Sequence, residues 1–169
     1  MNVPPEKPPS DPDWQAWLDQ HGAVFFLYAR QQTRSESDAK DVFQDVLVET
    51  WVKARGTIPD KAVVLATIRR RSIDLGRSID RRVRREQTVA TPEGSWFVPD
   101  FDANDTRRHL VESIQQLPDD LREVLILRMW GDLSFPAIAS LTDVPVPTAT
   151  SRYRYALDHL RRTLVELQP

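Results

Sequence analysis

Four acidic residues recur at helical spacing in the first half of the chain. They are Asp38, Asp41, Asp45 and Glu49, within the stretch DAKDVFQDVLVETWVKA. Steps of three and four residues place them on one face of a helix, and paired carboxylates can act as general acids and bases or bind a metal ion. The chain has no cysteine, and its histidines lie far apart, at His21, His109 and His159. Because no histidine or thiol accompanies the strip, we expect a solvated face or a docking surface rather than an active site, and we expect no metal and no cofactor.

Arginine dominates the stretch that follows, and arginine at this density is suited to binding phosphate. Residues 61–85 form a predicted helix that begins apolar, at Val63, Val64, Leu65 and Ile68, and then turns basic. Its arginines are Arg69, Arg70, Arg71, Arg77, Arg81, Arg82, Arg84 and Arg85, opposed only by Asp74 and Asp80. Such a face can neutralise several phosphates and makes binding sensitive to salt. The alternative is a solvated basic face.

Residues 117–160 have the pattern of three helices in quick succession. Pro118 suits a first helical position, where no backbone N–H is needed, and Gly131 ends that helix. Ser134 suits the N-cap of the second helix, and a last helix begins at about Pro147. Two short helices across a tight turn, the second polar and basic, form a helix-turn-helix. The alternative is a packed three-helix corner that binds no DNA.

The last of these helices offers short hydroxyls and arginines to the edges of DNA bases. The candidates for base or nearby contacts are Thr148, Thr150, Ser151 and Arg154. Arg152 either holds a phosphate or packs on the preceding helix. We expect Tyr153 and Tyr155 to pack rather than to read bases.

The rest of the sequence arranges these stretches into two domains. Residues 1–13 are rich in proline and predict a disordered tail. Residues 14–85 form a first helical domain and residues 106–167 a second. Residues 86–105 between them contain acids but no lysine or arginine, and their prolines and glycine argue against regular structure. We therefore expect a flexible acidic linker, whose aromatic residues could pack the domains together or bind a partner; they are Trp96, Phe97 and Phe101.

Two amphipathic helices precede the basic one in the first domain. Residues 14–28 carry aromatic and aliphatic side chains at helical spacing, and Gly22 interrupts or bends this helix. Ser35 with Asp38 resembles a capping box at the start of the next. The buried side of that second helix is predicted to carry Val42, Phe43, Val46, Leu47, Thr50 and Trp51.

Composition excludes several classes of protein. The formal net charge of −2 hides the segregation of acidic and basic stretches along the 169 residues. No apolar run approaches the roughly 20 residues needed to span a membrane, and the proline-rich N-terminus lacks the apolar core of a signal peptide. We expect a soluble cytoplasmic protein without disulfides.

The second domain resembles region four of extracytoplasmic-function (ECF) sigma factors, of the sigma-70 family. The family pattern is roughly Leu-Pro, Arg-Glu-Val-Leu, Leu-Arg, Gly-x-Leu-Ser, Ile-Ala, Ser-Arg and Ala-x-x-x-Leu-Arg. It falls here at residues 117–118, 122–125, 127–128, 131–134, 138–139, 151–152 and 156–161. The resemblance implies contact with the polymerase β flap and reading of a minus-thirty-five promoter element. The residues implicated are Thr148, Thr150, Ser151, Arg152 and Arg154.

The acidic strip resembles region two of the same family. DAKDVFQDVLVETW matches the pattern Asp-Ala-Glu-Asp-Leu-Val-Gln-Glu-x-Phe-x-x-x-Trp, with Lys40 in place of a usual acid. In that family this helix binds the clamp helices of the RNA polymerase β′ subunit. The resemblance thus implies a polymerase-binding role for Asp41, Gln44 and Asp45.

The basic helix corresponds to the part of region two that contacts the minus-ten element. The residues implicated by resemblance are Lys61, Arg69, Arg70, Asp74, Arg77 and Arg81. Ile73, Asp74 and Arg77 match the family, whereas Arg70 falls near a common Asn. Family members capture unpaired bases with the loop before this helix, here residues 55–61. This loop has no aromatic residue, so a shaped polar pocket is expected rather than a stacking platform.

The resemblance implies an all-α protein of two small helical domains that performs no covalent chemistry. It would bind core RNA polymerase, direct it to promoters, help melt the DNA and then dissociate. Two other classes stay open. A plain helix-turn-helix regulator would bind duplex DNA without polymerase, and a helical interaction protein would sequester partners and give no promoter-specific transcript. Many family members are held inactive by an anti-sigma protein, but no sequence feature identifies one.

Overall fold

The structure is a computed structural model that describes residues 11–55, 57–86 and 105–166. Those residues form seven α-helices and no strand, which confirms the all-α prediction. The chain divides into two compact units, one up to Ser95 and the other from Trp96.

The first unit is a three-helix bundle in which each helix packs against the other two. Its helices are α1 (Asp11–Gln32), α2 (Glu36–Ala54) and α3 (Lys61–Glu86). Helix α1 begins three residues before the predicted Trp14 and runs through Gly22 without interruption. The buried core consists of Phe25, Leu27, Tyr28 and Ala29 from α1, Ala39, Val42 and Val46 from α2, and Val64, Leu65 and Ile68 from α3.

Side-chain caps and a left-handed residue set the ends of α2 and the start of α3. The Ser35 hydroxyl accepts a hydrogen bond from the Asp38 backbone N–H at 3.1 Å, which confirms the predicted N-cap. Arg55 ends α2 in the left-handed region, with φ 44°. Asp60 Oδ1 accepts from the Ala62 backbone N–H at 2.7 Å and caps α3.

The second unit packs three shorter helices against a long last one. They are α4 (Asp105–Gln115), α5 (Asp119–Met129), α6 (Phe135–Thr142) and α7 (Val146–Glu166), and α7 contacts each of the other three. Part of the core is a cluster formed by Ile114, Leu117, Leu125, Ala156 and Leu160. The apolar faces of α4, α5 and α7 therefore fix how the last helix lies in this unit.

Helices α5, α6 and α7 form the predicted helix-turn-helix. The Ser134 hydroxyl accepts from the Ala137 backbone N–H at 3.3 Å, which confirms the second N-cap. Asp143 ends α6 in the left-handed region, with φ 58°. Pro118 is the N-cap of α5 rather than its first helical residue, one position from the prediction.

Two sequence predictions lie outside the described residues. They are most of the disordered tail predicted for residues 1–13 and most of the acidic linker predicted for residues 86–105, including its aromatic residues Trp96, Phe97 and Phe101. Where the structure does describe these two segments, the predictions are wrong, because residues 11–13 begin α1, Glu86 ends α3 and Asp105 begins α4.

Candidate nucleic-acid and partner interfaces

The acidic surface of α2 consists of Asp41, Gln44 and Asp45. All three side chains are exposed. Val42 and Val46, their neighbours in sequence, are buried in the bundle, so the helical repeat turns the three polar side chains outward. The structure thus places the predicted docking residues together on one accessible face.

Glu49 departs from the exposed strip predicted for it, since its side chain is only 13% exposed. Its Oε1 accepts from Lys53 Nζ at 2.6 Å and from Arg70 Nη2 at 2.8 Å. Its Oε2 accepts from Arg71 Nε at 2.8 Å and from Arg71 Nη2 at 2.5 Å. The hydrogen bonds from Lys53 and Arg71 lower the pKa of Glu49 to about 2. Glu49 is therefore ionised and links α2 to α3 through ion pairs. The prediction of a solvated acid at this position is wrong.

The predicted minus-ten residues lie along α3 on more than one face. Arg70, Asp74, Arg77 and Arg81 are exposed and follow the spacing i, i+4, i+7 and i+11, which aligns them in one stripe. Lys61 at the start of the helix is only half-buried. Arg69 is also half-buried, one position off the stripe. The arginine stripe, defined here as Arg70, Asp74, Arg77 and Arg81, is thus one accessible basic face of α3. The other exposed arginines of this helix are Arg71, Arg82, Arg84 and Arg85.

An open pocket of about 190 Å³ lies beside the loop that joins α2 to α3. Its polar lining includes Glu49, Lys53, Thr57, Asp60 and Thr67, and its lining contains no aromatic residue. Carboxylate, ammonium and hydroxyl groups can hydrogen-bond the edge of a nucleobase. The lining also includes the apolar side chains of Ala54, Pro59 and Val63, and capture of a base in a polar pocket stays a prediction.

Helix α7 presents its candidate contact residues on two neighbouring faces. Thr150 and Arg154 are exposed and Ser151 is half-buried, and their spacing of i, i+1 and i+4 groups them. The Thr150 hydroxyl donates to the Val146 carbonyl at 3.0 Å, which leaves its oxygen as an acceptor. Thr148 and Arg152 are half-buried one turn apart, and Arg152 Nε lies 3.1 Å from Asp120 Oδ2 on α5.

Known proteins match the chain in sequence and in fold. The Sigma-70, region 4 family matches residues 107–160. The ECF RNA polymerase sigma factor RpoE of Cereibacter sphaeroides is 32% identical over 131 residues, which cover 75% of this chain and 72% of that protein. The ECF RNA polymerase sigma factor SigL of Mycobacterium tuberculosis is 31% identical over 160 residues, which cover 90% of this chain and 89% of SigL.

The chain is an ECF sigma factor.

The fold of this ECF sigma factor is also similar to a solved structure. The sigma factor RpoE from Bartonella quintana, solved in complex with the anti-sigma factor NepR, superimposes with a TM-score of 0.73 at 20% identity, covering 93% of this chain and 99% of RpoE. Residues 107–160, the part matched by region 4, contain all five candidate contact residues of α7. The predicted family and the two-unit helical fold are therefore confirmed.

The two tyrosines of α7 in this sigma factor behave differently from each other. Tyr153 packs as predicted, with its ring edge-on to Phe135 at 5.5 Å and its hydroxyl 3.2 Å from Met129 Sδ. Tyr155 is 57% exposed, and the Arg154 guanidinium lies 5.8 Å from its ring centroid. The prediction that Tyr155 is a packing residue is wrong, since more than half of its surface is exposed.

Two acidic residues of the sigma factor have roles that the sequence did not indicate. Glu49 forms ion pairs with Arg70 and Arg71 of α3, and Asp120 forms an ion pair with Arg152. Each of these acids pairs with a residue on another helix, at least 21 positions away, so helical periodicity alone gave no signal of the pairing.

No membrane-spanning candidate is found among the helices of residues 11–55, 57–86 and 105–166. In the same part of the chain, no group of three or more His, Asp or Glu side chains is placed to hold a metal ion.

Proposed function

We propose that this sigma factor directs core RNA polymerase to specific promoters, with one helical unit docking on the enzyme and engaging the minus-ten element and the other reading the minus-thirty-five element. The observation that supports this most is the pair of faces on the first unit. The α2 acidic surface and the α3 arginine stripe are both accessible on one small bundle, so a single rigid body can contact a protein and DNA together.

The α2 acidic surface docks on the clamp helices of the polymerase β′ subunit in this proposal. Asp41 and Asp45 are one helical turn apart and exposed to solvent. Paired carboxylates of this kind attract a basic partner surface and accelerate encounter with it. Gln44 adds a neutral donor and acceptor between them. Because the second unit resembles region four of ECF sigma factors, it is proposed to contact the polymerase β flap.

The arginine stripe binds the backbone of the minus-ten element. Arg77 and Arg81 supply positive charge one turn apart, and Lys61 and Arg69 lie on the same helix. Asp74 cannot attract phosphate, so its role is hydrogen bonding to a base or orientation of a neighbouring arginine. Arg70 belongs to this face, but in the free protein it donates to Glu49.

Promoter melting is assisted by capture of an unpaired base. Separating and holding a base costs on the order of a few kcal/mol, which must be offset by contacts to the extruded base. The polar pocket beside the α2–α3 loop, with Thr57, Asp60 and Lys53 in its lining, is the proposed site of capture.

Helix α7 enters the major groove of the minus-thirty-five element. The proposed contacts at or near base edges are Thr148, Thr150, Ser151 and Arg154. Arg152 is proposed to bind a phosphate while it remains paired with Asp120. Each unit alone binds DNA weakly. Docking on polymerase raises the effective concentration of both units at the promoter spacing, so their contacts reinforce each other.

An anti-sigma factor is a further partner in this proposal. One solved structure with this fold, RpoE, is a complex with the anti-sigma factor NepR. A second, CnrH, was solved in complex with the cytosolic domain of CnrY and has a TM-score of 0.57.

In vitro transcription of a genomic DNA library, with purified core polymerase and the full chain, tests the proposal. We expect a set of transcripts with defined 5′ ends and a shared upstream sequence. A plain helix-turn-helix regulator would bind duplex DNA without polymerase and would give no new start site. A sequestering protein would also give none, and either result would contradict the proposal.

A further inference from the structure

The carboxylate of Glu49 accepts hydrogen bonds from positively charged side chains of two helices. Lys53 of α2 and Arg70 of α3 both donate to Oε1, at 2.6 and 2.8 Å. Arg71 of α3 donates twice to Oε2, at 2.8 and 2.5 Å. Two-point contact between a guanidinium and a carboxylate is among the stronger polar interactions in proteins. Both oxygens of Glu49 are therefore occupied by cations.

Phosphate and carboxylate compete for the same guanidinium donors. Arg71 directs its Nε and one Nη at Glu49, so the face of its guanidinium best suited to a bidentate phosphate contact is occupied. Arg70 commits one Nη to the same carboxylate. The charge of Glu49 also offsets part of the field that the two arginines project toward solvent.

Stabilisation of the bundle does not by itself account for this arrangement. The side chains of Arg70 and Arg71 are 56% and 47% exposed, so solvent screening reduces the stabilisation that their ion pairs with Glu49 give the bundle. Buried side chains, Val46 and Thr50 on α2 and Val64 and Ile68 on α3, already stabilise this bundle. The ion cluster, formed by Glu49, Lys53, Arg70 and Arg71, lies at the edge of this buried packing. It includes Arg70, the first residue of the arginine stripe.

We propose that Glu49 is an intramolecular competitor for DNA phosphate, which withholds Arg70 and Arg71 from DNA and lowers the affinity of the first unit for DNA of any sequence. The inference rests on the proposed function in taking the basic surface of α3 as a DNA-binding face; that surface includes Arg70 of the arginine stripe and its exposed neighbour Arg71. Its consequence is that the free sigma factor binds DNA of arbitrary sequence less tightly than the same chain would without the Glu49 charge.

Glu49→Gln is the direct test, because it removes the charge and keeps the shape of the side chain. Binding of the full chain to a fluorescent duplex of arbitrary sequence is measured by anisotropy over a series of salt concentrations, without polymerase. We expect about threefold to tenfold tighter binding at low salt and a salt slope steeper by about 0.9 for each arginine released to a phosphate.

Glu36→Gln is the matched control. It makes the same change of charge on the same helix, but the ion pair of Glu36 is with Lys40 of α2, at 2.9 Å. It should leave the salt slope unchanged. Glu49→Gln binding no tighter than Glu36→Gln would overturn the proposal.

A second comparison begins in the wild-type chain, where it does not depend on the folding of Glu49→Gln. In the otherwise wild-type chain, replacing Arg70 and Arg71 together by Gln should cost less DNA affinity than replacing Arg77 and Arg81 together, although the charge removed is the same. In the Glu49→Gln background the two pairs of arginine substitutions should cost similar amounts of DNA affinity. The effect of the Arg70 and Arg71 substitutions would then depend on Glu49, which a purely structural role of Glu49 would not produce. Equal losses in the wild-type background would also overturn the proposal. Because neither promoter nor polymerase is used, failure here is distinguishable from failure of promoter-directed transcription.

Discussion

Arg152 Nε of α7 lies 3.1 Å from Asp120 Oδ2 at the start of α5. The pair spans the helix-turn-helix and is partly shielded, with side chains 27% and 49% exposed. An exposed pair of this kind contributes at most about 1 kcal/mol to stability. Its greater effect is geometric, because it directs the Arg152 guanidinium toward α5 and adds to the apolar contacts that orient α7.

The Asp120–Arg152 pair predicts that two substitutions share one effect. If Arg152 acts by orienting α7, then Asp120→Asn and Arg152→Gln should reduce discrimination at the minus-thirty-five element to a similar extent. The double variant should then be no worse than either single one. Run-off transcription from a promoter and from the same promoter with its upstream element scrambled measures this discrimination. If Asp120→Asn has no effect while Arg152→Gln does, Arg152 contacts DNA directly instead.

The exposed face of α7 predicts a separate loss of base reading. Ser151→Ala combined with Arg154→Ala should reduce discrimination at the upstream element, by about 1–3 kcal/mol for each base-specific interaction that the substitutions remove. Binding to core polymerase should be unchanged, because the α2 acidic surface is untouched. The variant is compared with wild type on intact and mutated upstream elements. An equal loss on every DNA sequence would mean that these two residues touch only the backbone.

The turn between α5 and α6 predicts a strict requirement for glycine. A Cβ on Gly131 would lie 2.5 Å from the backbone oxygen of Leu127, and this backbone cannot retreat because the Leu133 N–H donates to the same oxygen at 3.1 Å. Gly131→Ala should therefore destabilise the second unit by about 1–3 kcal/mol. Thermal unfolding followed by circular dichroism measures the loss.

Gly76→Ala is the natural control for this experiment. Gly76 lies within α3, and a Cβ there would meet no atom within 4 Å. Alanine should be neutral or stabilising there by about 0.5–1 kcal/mol, because it restricts the unfolded chain more than glycine does. Equal behaviour of the two alanine variants would contradict the packing described around Gly131.

The ion cluster at Glu49 predicts a pH dependence of stability. The pKa of Glu49 falls from 4.5 to about 2, chiefly through hydrogen bonds from Lys53 and Arg71. Because the pKa is lower in the folded state, the stabilisation is fully present above pH 4.5 and is lost as the pH falls toward about 2. The thermal midpoint of the wild type should thus fall more steeply across this window than that of Glu49→Gln. Parallel curves for the two proteins would show that Glu49 does not contribute in this way.

Local signals in the sequence predicted the elements well. Ser35 and Ser134 cap their helices as expected, because a capping hydroxyl bonds to a backbone N–H only three residues away. The outward direction of Asp41 and Asp45 followed from the buried valines beside them. Such features depend on neighbours within one or two helical turns, which the sequence displays directly.

The same local signals could not predict ion pairs between residues of different helices. Glu49 pairs with residues 21 and 22 positions away, and Asp120 pairs with Arg152 on another helix. Helical spacing identifies the face on which a charge lies but not which helix packs against that face. The prediction for Tyr155 was wrong for the same reason, since the helical repeat alone did not show that this position of α7 is exposed.

Run-off transcription with purified core polymerase tests the central claim most directly, with polymerase binding of each chain measured in parallel. Core with the wild-type chain should bind tightly and make RNA from one defined start on a promoter fragment, whereas core alone should make none. Asp41→Lys with Asp45→Lys should lose both binding and transcript, and Asp19→Lys, which reverses an exposed charge on α1, should retain both. If the wild-type chain does not bind core polymerase, or binds it and yields no RNA with a defined start, the account is contradicted.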